Sequence, residues 1–135
     1  MSSWSTSGSC GIRPEAAITE ADTSGLPGPI ATDLLEAAAC LAIGANRAAA
    51  LVARRAVEQV VVMRRVPLET KTLHQKLGWL LKSGHLPRAL AGHARTVGDV
   101  GTAAAHGGGA LTRDEAHAMV ISSVAVARGV LAPDD

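Results

Sequence analysis

Aromatic residues are almost missing from this chain. They make up 1% of its 135 residues, Trp4 and Trp79 being present while Phe and Tyr are absent. That shortage argues against modules that stack nucleic-acid bases on exposed rings. Cysteine is as scarce. Two residues, Cys10 and Cys40, cannot build a disulfide framework. They read as reduced thiols of a cytoplasmic protein, with Cys40 a small core residue. Neither sign of charge is in excess. Lys and Arg number 13 against 12 Asp and Glu, a formal net charge of +1, which excludes a basic protein that coats nucleic acid. No apolar run approaches the roughly 20 residues that span a bilayer. The N-terminus has no basic segment leading into an apolar one, as a signal peptide would. The expected location is the cytoplasm, and no membrane partner is expected.

Hydrophobic residues are abundant at 47%, and the length suits one small domain plus a tail. Residues 1–30 are rich in Ser, Thr, Gly and Pro. Such a segment buries too little apolar surface to offset its ordering entropy, so a disordered tail is expected, with Trp4 solvated. Residues 31–132 form the expected folded domain. Its first helix should start near Asp33, capped by Thr32 or Asp33, and stop at Gly44. Asn46 should cap a long second helix over about 47–65. There Arg47, Arg54, Glu58 and Arg65 fall on one polar stripe, although Val60-Val61-Val62 favours strand locally. Pro67 ends it. Thr72 and Gln75 read as a capping box opening a third helix, through Leu77, Leu80 and Leu81 to Gly84. Pro87 should begin a fourth, to about His106. It contains Gly92, Gly98 and Gly101, each costing up to roughly 1 kcal/mol relative to Ala, so it depends on tertiary packing and close approach. Thr112 and Glu115 form a second capping box, opening a last helix to about Leu131. Short loops between such helices predict an all-α antiparallel bundle of four to five helices.

The five histidines are His74, His85, His93, His106 and His117. They show no zinc-protease spacing, and no Cys-x-x-Cys accompanies them, so no metal site is expected. The glycines lack the Lys-Ser/Thr of a phosphate loop, and no cofactor is expected. His106-Gly107-Gly108-Gly109-Ala110 has no nucleophile elbow to serve and reads as a turn. The second helix carries Arg47, Arg54, Arg55, Arg64 and Arg65 against Glu58, a local excess that suits phosphate or an acidic partner. Arg54 and Glu58, four apart, can pair. On the fourth helix Arg95, Asp99, Thr102 and His106 share one face. An Arg to stabilise phosphoryl charge and a His to move protons would make a metal-free ribonuclease set. Arg95 and His106 nevertheless lie about 16 Å apart along the axis. The structural alternative is a polar stripe with an Arg95–Asp99 pair and His106 at the negative helix end.

Leu35-Glu36-Ala37 leads to Gly44-Ala45-Asn46, and Ala48-Ala49 to Ala53-Arg54-Arg55-Ala56-Val57-Glu58. Leu73 to Gly84 then precedes His85-Leu86-Pro87. Gly101-Thr102-Ala103-Ala104-Ala105-His106, a Gly-rich gap and Thr112-Arg113-Asp114-Glu115-Ala116 follow. This ordered set, over residues 33–131, resembles the HEPN superfamily. Within it the likeness is to a prokaryotic domain-of-unknown-function branch found alone or fused to restriction-type proteins. The resemblance implies a helical bundle that is commonly a homodimer. It also implies metal-free RNA cleavage in active relatives, by an Arg and a His from one helix of each subunit. The branch pattern Arg-x-x-Gly-Asn-x-Ala-Ala-His falls on Gly98 to His106. Gly101 and His106 match, but Gly98 stands for the Arg and Thr102 for the Asn. The obvious charge stabiliser is therefore missing.

The expected function is a non-catalytic binding and dimerisation module linked to nucleic-acid-related or defence systems, with RNA or protein as partner. Its binding residues would be Arg54, Glu58, Asp99 and Thr102. One alternative is a metal-independent endoribonuclease using His106, with Arg95 or a second-helix Arg at a dimer interface. Another is a bundle that binds a small anionic ligand.

Overall fold

A computed structural model describes residues 18–107 and 109–132. Among them no strand occurs and six α-helices do: α1 (Glu20–Thr23), α2 (Gly28–Ala42), α3 (Asn46–Met63), α4 (Leu73–Lys82), α5 (Ala91–His106) and α6 (Arg113–Leu131). A 3-10 turn, Arg88–Leu90, leads into α5. The all-α bundle is thus observed. The tail expectation for residues 1–17, with Trp4 and Cys10, lies outside the described residues.

Direction follows from side chains that reach across. Asn46 at the start of α3 donates to the Leu111 carbonyl before α6, and Arg64 after α3 donates to the Val130 carbonyl near the end of α6. Hence α3 and α6 run parallel. Arg113 at the start of α6 donates to the Leu41 carbonyl at the end of α2, so α2 runs the other way. Arg47 and Arg54 of α3 lie against Gly107 and Gly101 respectively, so α5 also opposes α3. The long α3 packs on α2, α4, α5 and α6, while α4 rests mainly on α5.

Small residues make this packing close. Ala49, Ala50, Ala53 and Ala56 of α3 are all fully buried, as are Ala37, Ala116 and Ala127 on its neighbours. Short side chains let helix axes approach toward the lower end of the usual 8–10 Å. Leu34, Leu80, Leu86, Val57, Val97 and Met119 fill the rest. Cys40 is a free, half-buried thiol packed against this core.

The chain departs from sequence expectation at its helix starts. Helix α2 begins at Gly28, not near Asp33, because Pro29 sits in its first turn, where proline's fixed φ is already helical. Asp33 is therefore not a cap. Its carboxylate is buried, accepts from Gln59 Nε2 at 2.6 Å and pairs with Arg55 Nε at 3.4 Å, tying α2 to α3. Thr32 is exposed within the same helix. Residues 20–30, expected as tail, hold α1 and the first turn of α2. Arg128 of α6 fixes them by donating to the Asp22 and Ser24 carbonyls. Asn46 is the first helical residue of α3 rather than its cap, its amide being engaged by Leu111. The valine run stays helical, since burial of Val60 and Val61 outweighs local strand preference. Both capping boxes, Thr72 with Gln75 and Thr112 with Glu115, form as read.

Candidate functional site

The outer face of α5 carries Arg95, Asp99, Thr102 and His106, with α4 flanking one side and the arginines of α3 the other. Arg95, Asp99 and His106 are exposed and Thr102 is half-buried.

The face is organised by contacts to α4 and α3. The imidazole of His74 on α4 donates through Nε2 to Asp99 Oδ1 at 2.8 Å. This replaces the expected Arg95–Asp99 pair, and among the described residues Arg95 has no ion pair. The reason is visible at Gly98. A Cβ there would fall 2.6 Å from His74 Cδ2 and 2.7 Å from Nε2. The imidazole thus occupies the space a side chain at 98 would need, which places it beside the next residue, Asp99. The position that the family resemblance would give to an Arg is a glycine, and a side chain there would have to displace the His74 ring.

On the α3 side, Arg54 and Glu58 do pair, Nε to Oε2 at 3.3 Å, with side chains 22% and 46% exposed. Such a partly screened pair is worth no more than about 1 kcal/mol. Arg54 Nη1 is buried without a hydrogen-bond partner among the described residues. Burial of such a donor costs free energy unless it finds an acceptor. The Arg54 stem runs beside Gly101, which also faces Met119 and Leu73. Further along, the Arg47 guanidinium lies against Gly107, which ends α5 in the left-handed region at φ 69°. There a cation faces the negative end of the α5 dipole.

Two clusters result. His74 bonds Asp99 and lines one groove with Arg95 in the first part of α5, whereas Arg54 and Arg47 lie beside Gly101 and Gly107 near its end, where the helix also carries Thr102 and His106. Arg95 and His106 remain about 16 Å apart on the helix axis. His74 was not singled out by sequence reasoning. Its partner lies 25 residues away, and the only sequence trace of the contact is the bare Gly98. The sequence places Arg47 only on a polar stripe of α3; its place at the α5 terminus depends on antiparallel packing that no spacing rule reveals. Among the described residues, no group of three or more His, Cys, Asp and Glu is placed to hold a metal ion, and no helix is long and apolar enough to cross a membrane.

Fold and site thus define a small all-helical domain with a polar, partly cationic face on one helix. A family model described as Domain of unknown function (DUF4145) matches residues 35–128. The chain belongs to that family. No curated protein and no solved structure matches it.

Proposed function

We propose that the chain is a non-catalytic binding and dimerisation module of HEPN-like type, working with nucleic-acid-related or defence systems. The observation that carries this reading is the separation of the chemistry along α5. Arg95 and His106 cannot grip one phosphate within a subunit, and the resemblance-implied Arg position is Gly98, covered by His74. What remains suits recognition. Arg54 and Arg47 lie beside Gly101 and Gly107 toward the end of α5, the stretch of that helix that also carries Thr102 and His106. Phosphate is the anion such a set meets well, because guanidinium donors match its geometry, so RNA is the partner this reading favours.

The test is metal-free incubation of the full chain with structured and unstructured RNA, beside a His106→Ala variant, read by cleavage and by mobility shift. The expected result is a salt-sensitive shift, weakened in Arg54→Gln, with no cleavage above the variant. Cleavage by the wild type that disappears in His106→Ala would overturn the non-catalytic reading and establish the endoribonuclease, with His106 served by Arg95 or an α3 arginine across a dimer. Absence of any shift would remove RNA as the partner.

A further inference from the structure

A groove of about 230 Å³ lies between α4 and α5, lined by Leu77, Gly78, Leu81 and Ala94, with His74 and Arg95 at its polar rim. Three observations single it out. First, Gly78 sits in the middle of α4, where glycine weakens a helix, yet a Cβ there would meet nothing within 4 Å. Unlike Gly98 and Gly101, it makes no close approach inside the chain. Its bare backbone simply leaves the groove open. Second, the walls are apolar side chains of two helices, so the groove takes a hydrophobic body. Third, Arg95 is exposed and has no ion pair among the described residues, its near neighbour Asp99 being taken by His74. The rim thus holds a permanent cation beside an apolar slot.

We propose that this groove binds a small organic anion, a carboxylate or phosphate on a compact apolar body. The head group lies on Arg95, beside the imidazole that Asp99 holds in place, and the body lies over Gly78 between Leu77, Leu81 and Ala94. A slot of this size admits a single ring or a short branched chain, smaller than the usual drug-sized pocket of about 300–1,000 Å³. The site is separate from the Arg54–His106 end of α5, and the proposal does not depend on RNA binding there.

The experiment titrates the isotopically labelled full chain with benzoate, phenyl phosphate, benzyl alcohol and inorganic phosphate, following backbone amides by NMR. Saturable shifts at residues 74–81 and 91–95 are expected with benzoate or phenyl phosphate, and the stronger of the two identifies the head group. Binding should weaken about fivefold or more in Arg95→Gln, the scale of losing one charge contact. It should vanish in Gly78→Leu, which fills the groove with a good helix former and leaves the fold intact by circular dichroism. Equal binding of benzyl alcohol would overturn the role of Arg95. Equal binding of inorganic phosphate at the same amides would overturn the role of the apolar slot. No saturable shift from either aromatic anion would overturn the proposal.

Discussion

At the residue scale, Gly98 shows how one absent side chain decides a constellation. Replacing a mid-helix glycine by alanine ordinarily stabilises a helix by about 1 kcal/mol. In this chain the new methyl would meet the His74 ring at 2.6 Å, so the ring must move and its 2.8 Å bond to Asp99 must break. Steric relief and the lost bond, worth about 1 kcal/mol or less at this exposure, offset the helix gain. Gly98→Ala should therefore leave stability in urea nearly unchanged. In a His74→Ala background the obstruction is gone, and the same change should stabilise by about 1 kcal/mol. An equal gain in both backgrounds would show that His74 does not occupy the space over Gly98. A larger side chain at 98 would have to displace the His74 ring in the same way.

At the element scale, α1 carries the clearest pH dependence. The Thr19 backbone N–H donates to the Asp22 carboxylate, and so does the Thr19 hydroxyl, with the Arg128 charge nearby. These hydrogen bonds, the backbone one foremost, lower the Asp22 pKa below its ordinary 3.8 in spite of a small opposing desolvation. A depressed folded pKa means that the unfolded segment binds protons more readily than the folded one. The contribution is therefore present above 3.8 and lost as pH falls below it through the folded value. Protection of the Ser24 and Leu26 amides, taken relative to intrinsic exchange at each pH, should fall in that acid window while the core of α3 stays protected. In Asp22→Asn the window should disappear. Loss of protection that begins well above pH 4 would place its origin elsewhere.

Capping chemistry was the most legible part of the elements. Thr72–Gln75 and Thr112–Glu115 each announce a helix start through residues three apart, and both form. The Arg54–Glu58 pair was equally local and equally readable. What escaped was decided at long range. Asp33 looks like a cap until Gln59 and Arg55, on another helix, claim its carboxylate. Residues 20–30 look like tail until Arg128 supplies their anchor from more than a hundred positions away. His74 and Asp99 meet only because α4 folds back on α5 at a glycine. Periodicity sees one helix at a time, so the face of α5 could be read from sequence, whereas its contacts from α4 and α3 could not.

At the scale of the whole molecule, the aromatic shortage returns as a packing problem. Nine of the fully or nearly fully buried core residues are alanines. Each brings helices close but removes little apolar area from water, whereas a buried Leu or Val contributes roughly 1.5–3 kcal/mol. Meanwhile large apolar groups stay outside: Leu68, Ile43 and Val62 are 92%, 82% and 74% exposed, and Met63 is half exposed. Near-zero net charge adds no long-range repulsion between copies. A chain whose interior is thin and whose surface keeps apolar side chains would gain by self-association, which supports the dimer part of the proposed function. Light scattering at micromolar concentration should give a mass twice 13.7 kDa. Because association stabilises by mass action, the thermal midpoint should also rise with protein concentration. A mass of 13.7 kDa together with a concentration-independent midpoint would remove the dimer. The Arg54–His106 end of α5 would then have to bind its partner as a single copy.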